Sequence, residues 1–293
     1  MSLNSQLREK AWQIRDSLQR RLYLRKVARG HRRFDGVLGI DSAGVVEPDV
    51  EDKAEAAAHL AHHYEAVNES GFRAMVESLA PDPSQYTFFD IGSGKGKALI
   101  LAACYPFQKI RGLEFDAAMH SAAARNIERA MGFLDVHCAD VESMAMDASK
   151  FDAYADRSFV LFFNSFGGEV LARFAERLDQ HAQAGNREII LAYLNPTEPQ
   201  QFDESPHLNV LVRTNRLIVY GTYGVELDAH SRQLLLHDGQ LAGLEHVEVV
   251  ERILDPVGLL GPPHQALALA PVFLDDPRLQ LVAPCVECLD PLR

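Results

Sequence analysis

Four polar residues recur through the middle of the chain at nearly equal spacing. They are Asp90, Glu114, Asp140 and Asn164, separated by 24, 26 and 24 residues. Each closes a short apolar run with the look of a buried strand, and each interval is about one strand–helix unit long. Such a set places three carboxylates and one amide at the carboxyl edge of neighbouring parallel strands, where open α/β sheets take their ligands. Carboxylates gathered there accept from hydroxyls and amines and favour a cationic centre. They disfavour a polyphosphate.

The first of the four sits inside "FFDIGSGKGKALI", residues 88–100. A phosphate loop needs G-x-x-x-x-G-K-[ST]. With its GK on Gly94-Lys95, Phe89 takes the place of the first Gly and Gly96 that of the hydroxyl. With its GK on Gly96-Lys97, those places fall to Ile91 and Ala98. Both registers fail. The dinucleotide fingerprint G-x-G-x-x-G is met by Gly92 and Gly94 but has Lys97 at the third glycine. Glu114 still suits a ribose.

S-adenosylmethionine, with its sulfonium and ammonium charges, fits best. Gly92, Gly94 and Gly96, with Ser93 between them, let backbone approach a cofactor closely. Asp90 is placed for its amino group and Glu114, followed by Phe115, for the ribose hydroxyls. Asp140, followed by Val141 and expected to end the third strand, is placed for the adenine amino group. Asn164 is expected where the methyl group reacts. Lys95 and Lys97 are expected to be solvated at a helix start.

The elements that must carry these residues alternate regularly. "YTFFDIG", "IRGLEF", "FLDVHCAD", "SFVLFFNS" and "EIILAYLNP" read as strands. "KGKALILAAC", "DAAMHSAAARNIERAM" and "GEVLARFAERLDQHAQ" read as the helices between them. Near-continuous apolar strands separated by helices predict an α/β fold: a Rossmann-like, doubly wound, mostly parallel seven-stranded sheet. "LNVLVR" and "RLIVYGTYGVEL" predict a closing hairpin with an antiparallel last strand. Ahead of the sheet, residues 5–29, 51–63 and 70–80 read as helices and 36–50 as an irregular linker. The expected organisation is a basic helix and linker over 1–50, a cofactor-binding domain over 51–226 and a C-terminal extension over 227–293.

The whole-chain numbers narrow the partners. Residues 1–35 hold 10 Lys/Arg against 3 Asp/Glu, a charge of +7, and the rest hold 19 against 38, a charge of −19. A body this acidic repels nucleic acid. The basic segment is expected to dock on that body or on a second subunit, giving a homo-oligomer through the terminal segments. No apolar run of membrane-spanning length occurs, and the Arg-rich N-terminus is unlike a secretory signal. Four cysteines give no disulfide framework, so a cytoplasmic setting is expected. His59, His62 and His63 share a helical face, yet no clear fourth ligand accompanies them. The single CxxC at Cys285 and Cys288 has no second pair, so no metal is expected.

With these residues in view, roughly residues 60–225 resemble the class I S-adenosylmethionine-dependent methyltransferases. The stretches "YEAVNESGFRAMVESL", "FFDIGSGKGKALILAA", "GLEF" and "VLFFNSFGGEVLARFAERL" are similar to the disruptor-of-telomeric-silencing-type lysine methyltransferases and their bacterial relatives. That resemblance implies a Tyr64-Glu65 loop folding over the cofactor and a fourth-strand Asn164 followed by Phe166 and Gly167. Ala66 and Ser165 stand where those bacterial relatives usually have Pro. Asn164 would then position the acceptor, Tyr64 orient it or close the pocket, Phe166 wall it, and His63 is a candidate base. The expected activity is in-line methyl transfer to a small molecule. The alternatives are transfer to protein lysine and a non-catalytic cofactor-binding or assembly role.

Overall fold

The computed structural model describes residues 29–42, 45–46, 64–80, 82–185 and 187–237. The helix expected over 5–29, apart from its last residue, the helix expected over 51–63, the three histidines at 59, 62 and 63, and the C-terminal cysteine pair lie outside the described residues.

Seven strands form one sheet: β3 (Thr87–Ile91), β4 (Lys109–Glu114), β5 (Val141–Ala145), β6 (Arg157–Phe162), β7 (Glu188–Leu194), β8 (Leu208–Arg213) and β9 (Leu217–Thr222). Their order is β5-β4-β3-β6-β7-β9-β8. The first five pair in parallel, and β9 runs antiparallel to both β7 and β8. This is the expected Rossmann-like, seven-stranded architecture. The closing hairpin enters in reverse order: its second strand inserts beside β7, and its first strand takes the edge. A second, two-stranded antiparallel pair joins β1 (Val45–Val46) to β2 (Tyr64–Glu65).

The central strand shows why the sheet is covered twice. Every residue of "TFFDI" is buried. Successive side chains alternate faces, so Phe88 joins one core cluster while Phe89 and Ile91 join the other. The first face packs α1 (described over residues 29–38), α2 (Glu69–Leu79), α3 (Lys97–Ala103), α4 (Ala117–Ala130) and α7 (Ala229–His237). The second packs α5 (Gly168–Gln183) through Leu171, Phe174 and Leu178, and α6 (Gln200–Asp203) through Phe202. Side-chain caps fix two helix starts. Asn68 accepts from the Gly71 N–H at 2.7 Å, and Asp116 accepts from the Met119 N–H at 2.8 Å.

Two local expectations are corrected. Residues 36–38 are helical, not linker. Phe34 and Leu38 lie one turn apart and both bury in the core, which outweighs the glycine at 36. The third strand runs over 141–145, whereas "FLDVHCAD" was expected to form it. The buried Cys138 and the half-exposed stretch around it belong to its approach.

Candidate functional site

The glycine turn follows β3 directly. Gly92, Gly94 and Gly96 have φ of 77°, 53° and 82°, a left-handed region open mainly to glycine. Its N–H groups point back into the protein. Those of Gly92 and Ser93 both donate to the Leu113 carbonyl, at 2.8 and 3.0 Å. Gly96 N–H donates to the Ser93 carbonyl at 2.9 Å. Gly94 N–H donates to Glu114 Oε2 at 2.7 Å. A phosphate cradle aims such groups at its ligand. Here four of them are already used, which is the structural counterpart of the failed phosphate-loop registers. The Ser93 side chain faces Gly112, where an added Cβ would lie 2.6 Å from its Oγ.

Two carboxylates dominate the field here. Asp90 is buried in β3, and desolvation, helped by the negative charge of Glu114, pushes its pKa up to about 8. Glu114 ends β4 as expected. Its Oε1 accepts from Asp116 N–H at 2.8 Å, and burial raises its pKa despite those backbone donors. Phe115 stands exposed beside it. Two adjoining acids, both pushed toward their neutral forms, favour a positively charged ligand that would return them to the ionised state.

The third strand overturns one expected placement. Asp140 precedes β5 instead of ending it, so Asp140 and Val141 lie at the opposite end of that strand from Glu114. Asp140 pairs with Arg111 at 2.8 Å, and its carbonyl accepts from Ile110 N–H. The ladder runs from Ile110 opposite Val141 to Glu114 opposite Ala145. The acid that leaves β5 at the carboxyl edge is Asp147. Its Oδ1 accepts from Ser149 N–H at 2.9 Å and from Ser149 Oγ at 2.7 Å. Those Ser149 bonds and Lys150 hold its pKa low although burial opposes them. The polar alternation of "VESMAMD" conceals this strand from a search for apolar runs.

Asn164 lies two residues beyond β6 in a turn with φ of 46°. Its Oδ1 accepts from Thr197 Oγ1 at 2.7 Å and from Tyr193 OH at 3.2 Å. Tyr193, fully buried in β7, also accepts from the N–H groups of Thr197 and Glu198. Both lone pairs of the Asn164 carbonyl are thus engaged, and Asn164 is held by β7 and the turn after it. Next in the chain, Ser165 donates to the Ile91 carbonyl at 3.1 Å and packs over Gly92, whose missing Cβ would fall 2.3 Å from the Ser165 Cβ. Residues 164–165 and the glycine turn therefore share one edge. Phe166 instead packs on Phe162 and Phe174, with ring centroids 4.9 and 6.0 Å away. It is part of the second core cluster's boundary, which accounts for its position without a wall role.

Both lysines of the turn depart from the solvated expectation. Lys97 is buried, with Nζ bonded to Glu69 and His31 and 4.7 Å from the Phe34 ring centroid. Lys95 pairs with Asp41 at 2.9 Å. The Glu69 partner sits on α2, which "helix start" reasoning confined to one segment does not reach. Tyr64 and Glu65 form β2, paired with Val46 and Val45.

Residues 89–181 match the family model described as a methyltransferase domain. Among curated proteins none matches the sequence. Solved structures that resemble it include a ribosomal protein L11 methylase from Lactobacillus delbrueckii subsp. bulgaricus, at 19% identity and TM-score 0.39, covering 56% of this chain and 80% of that one. An RNA methyltransferase from Salinibacter ruber with bound S-adenosyl-L-homocysteine aligns at 17% identity and TM-score 0.38, over 56% of this chain and 97% of that one. Magnesium protoporphyrin IX methyltransferase from Synechocystis PCC 6803 with bound SAM aligns at 14% identity and TM-score 0.36, over 53% and 79%. The matched span is a methyltransferase domain.

Proposed function

We propose that the chain is an S-adenosylmethionine-dependent methyltransferase that acts on a small-molecule acceptor. Asp90 takes the cofactor's amino group, Glu114 its ribose hydroxyls, Asp147 its adenine amino group, and Phe115 packs against the adenine. Asp147 replaces Asp140 in this reading because it leaves β5 at the shared edge. The turn backbone at Gly92, Ser93, Gly94 and Gly96 gives close approach. Tyr64 and Glu65 keep the cover role that the family likeness implies. The paired, charge-starved acids Asp90 and Glu114 are the observation that carries the cofactor assignment.

When bound, S-adenosylmethionine supplies a methyl carbon activated by its sulfonium. An acceptor placed in line with it would take that methyl group, S-adenosylhomocysteine would be the leaving product, and a proton would be released from the acceptor. The chain's task is placement at near-attack distance. Asn164, fixed by Tyr193 and Thr197, gives the acceptor side a rigid floor one strand beyond the glycine turn. Its occupied carbonyl does not supply the acceptor's hydrogen-bond partner; the exposed Thr197 hydroxyl beside it does. His63 stays the candidate base for an acceptor that is protonated at working pH.

Two observations support a small acceptor. The net charge of −12 disfavours nucleic acid. A segment ahead of the sheet is bonded directly to the glycine turn through Asp41, which narrows the approach to that edge. The same acidity would suit a basic protein, so lysine methylation, in keeping with the silencing-type likeness, is the second reading. The cysteine usage supports action in the cytoplasm. Incubation with S-adenosylmethionine labelled in its methyl group, against a cell extract divided into small-molecule and protein fractions, separates the two. Label in the small-molecule fraction is expected. Label confined to protein replaces the first reading with the second.

A further inference from the structure

Nothing in the expected cofactor chemistry accounts for how firmly the segment before the sheet is tied to the glycine turn. The turn itself is a run of three left-handed glycines, the residue type that loses most freedom on folding. Its own bonds to Leu113 and Glu114 hold its inner side. Its outer side is held by helix α4. Ala123 touches Gly96 so closely that an added Cβ there would lie 3.0 Å from the Ala123 Cβ. One turn on, the buried Asn126 donates from Nδ2 to the carbonyls of Lys95, at 3.0 Å, and Asp41, at 2.9 Å. Its Oδ1 accepts from Asp41 N–H at 3.1 Å. Another turn on, the Arg129 guanidinium lies over Gly39, where φ is 64° and a Cβ would meet its nitrogens at 2.8 Å. Residues 123, 126 and 129 recur at one-turn spacing and so form one face.

The same segment is closed from its other side. Asp35 on α1 accepts from both the N–H and the hydroxyl of Ser42, folding 39–42 back onto the helix. His31 and Phe34 of α1 meet Lys97, the first residue of the helix that the glycine turn starts. Lys97 in turn bonds Glu69 of α2. The turn is therefore gripped at Lys95 by Asn126 and Asp41, and at Lys97 by α1 and α2.

We propose that residues 29–42 are a latch that pre-sets the glycine turn for cofactor binding, with Asn126 and Arg129 as its positioning residues and Lys97 as its anchor. The consequence runs through Gly94. Its N–H holds one oxygen of Glu114, so a turn released by the latch also releases the carboxylate assigned to the ribose. None of the three residues is assigned to touch the cofactor. Their effect is on the fraction of molecules whose turn is already in the binding shape, and apparent affinity falls with that fraction. The proposal rests on the cofactor site described above.

The test uses the full chain, titrated calorimetrically with S-adenosylhomocysteine, together with amide hydrogen exchange of the free protein. Asn126→Ala is expected to bind about tenfold more weakly. Gly94 and Gly96 amides should exchange faster by a similar factor, while β3 and β6 amides keep their protection. Arg129 is exposed, so Arg129→Ala folds even if the first variant does not. It should weaken binding about threefold and speed exchange at Asp41. Unchanged affinity and unchanged Gly94 and Gly96 exchange in both variants overturn the latch. A wild-type chain that fails to bind S-adenosylhomocysteine counts against the cofactor site instead, and the exchange measurements still decide the latch.

Discussion

The carboxyl edge of the sheet has two halves built on opposite electrostatic plans. Over β3 and β4, the buried Asp90 and the half-buried Glu114 both have raised pKa values, and no positive side chain bonds either carboxylate among the described residues. Over β6 and β7, Asn164, Tyr193 and Thr197 hydrogen-bond one another. The first half has an unmet demand that a cationic ligand would answer. The second has almost none, so it fixes geometry and leaves the acceptor's identity to residues around it. A site that stores electrostatic demand announces its ligand. A site that is already satisfied announces only its rigidity.

Removing the demand tests the contrast most severely. Glu114→Ala takes away two charge-assisted acceptor positions and the partner of Gly94 N–H. Each such bond is worth about 1.5–3 kcal/mol, so S-adenosylhomocysteine affinity should fall by about 100-fold or more in calorimetry. A loss under fivefold would break the assignment of demand to this half.

Asp90 gives the next largest effect and sets its pH dependence. With a native pKa of about 8 against 3.8 in the unfolded chain, the free native state binds the extra proton between those values. Stability of the free protein should therefore fall as pH rises from about 4 to about 8, because ionising the buried acid costs more than ionising the unfolded one. Binding a cation should expel that proton. The calorimetric enthalpy at pH 7 should then vary with the buffer's ionisation enthalpy. Asp90→Asn should abolish both dependences, read by melting temperature across pH 5–8 and by titration in two buffers.

On the satisfied half, Tyr193→Phe removes one neutral donor to Asn164 and the acceptor of the Thr197 and Glu198 N–H groups. Methyl transfer should drop by about fivefold in kcat/KM, the equivalent of about 1 kcal/mol, with S-adenosylhomocysteine affinity unchanged. A parallel loss of cofactor affinity would show that the halves are not separable. The smallest effect belongs to Asp140→Asn. It weakens a half-exposed pair with Arg111 at the far edge, worth within about 1 kcal/mol of stability, and should leave affinity within twofold.

The turn and strand geometry of the half over β3 and β4 was largely legible in the sequence. Glycines needing positive φ, an acid at the end of an apolar strand and another one strand–helix unit later are local features with fixed spacing. The phosphate-loop registers failed on residue identity alone, and the turn's inward N–H groups show the same exclusion in space. Asp147 was missed because β5 alternates polar and apolar residues at the sheet's edge. The apolar-run signal therefore selected a stretch one strand-length too early, and Asp140 with it. The roles of Tyr193 and Thr197 were invisible for a different reason. Their bonds to Asn164 join residues 29 and 33 positions away, across a strand pairing that spacing does not encode.

Lys97 marks the division best. The sequence by itself determined the strand–helix rhythm, the glycine turn and the acidic partners, since each depends on backbone conformation and period. It also placed Lys97 at a helix start, where exposure is the ordinary outcome for a lysine. Only the tertiary structure decided that Glu69, His31 and Phe34, from two helices earlier in the chain, converge on that one ammonium. A charge is buried when partners from elsewhere replace its water, and no pattern within "GSGKGK" records who those partners are.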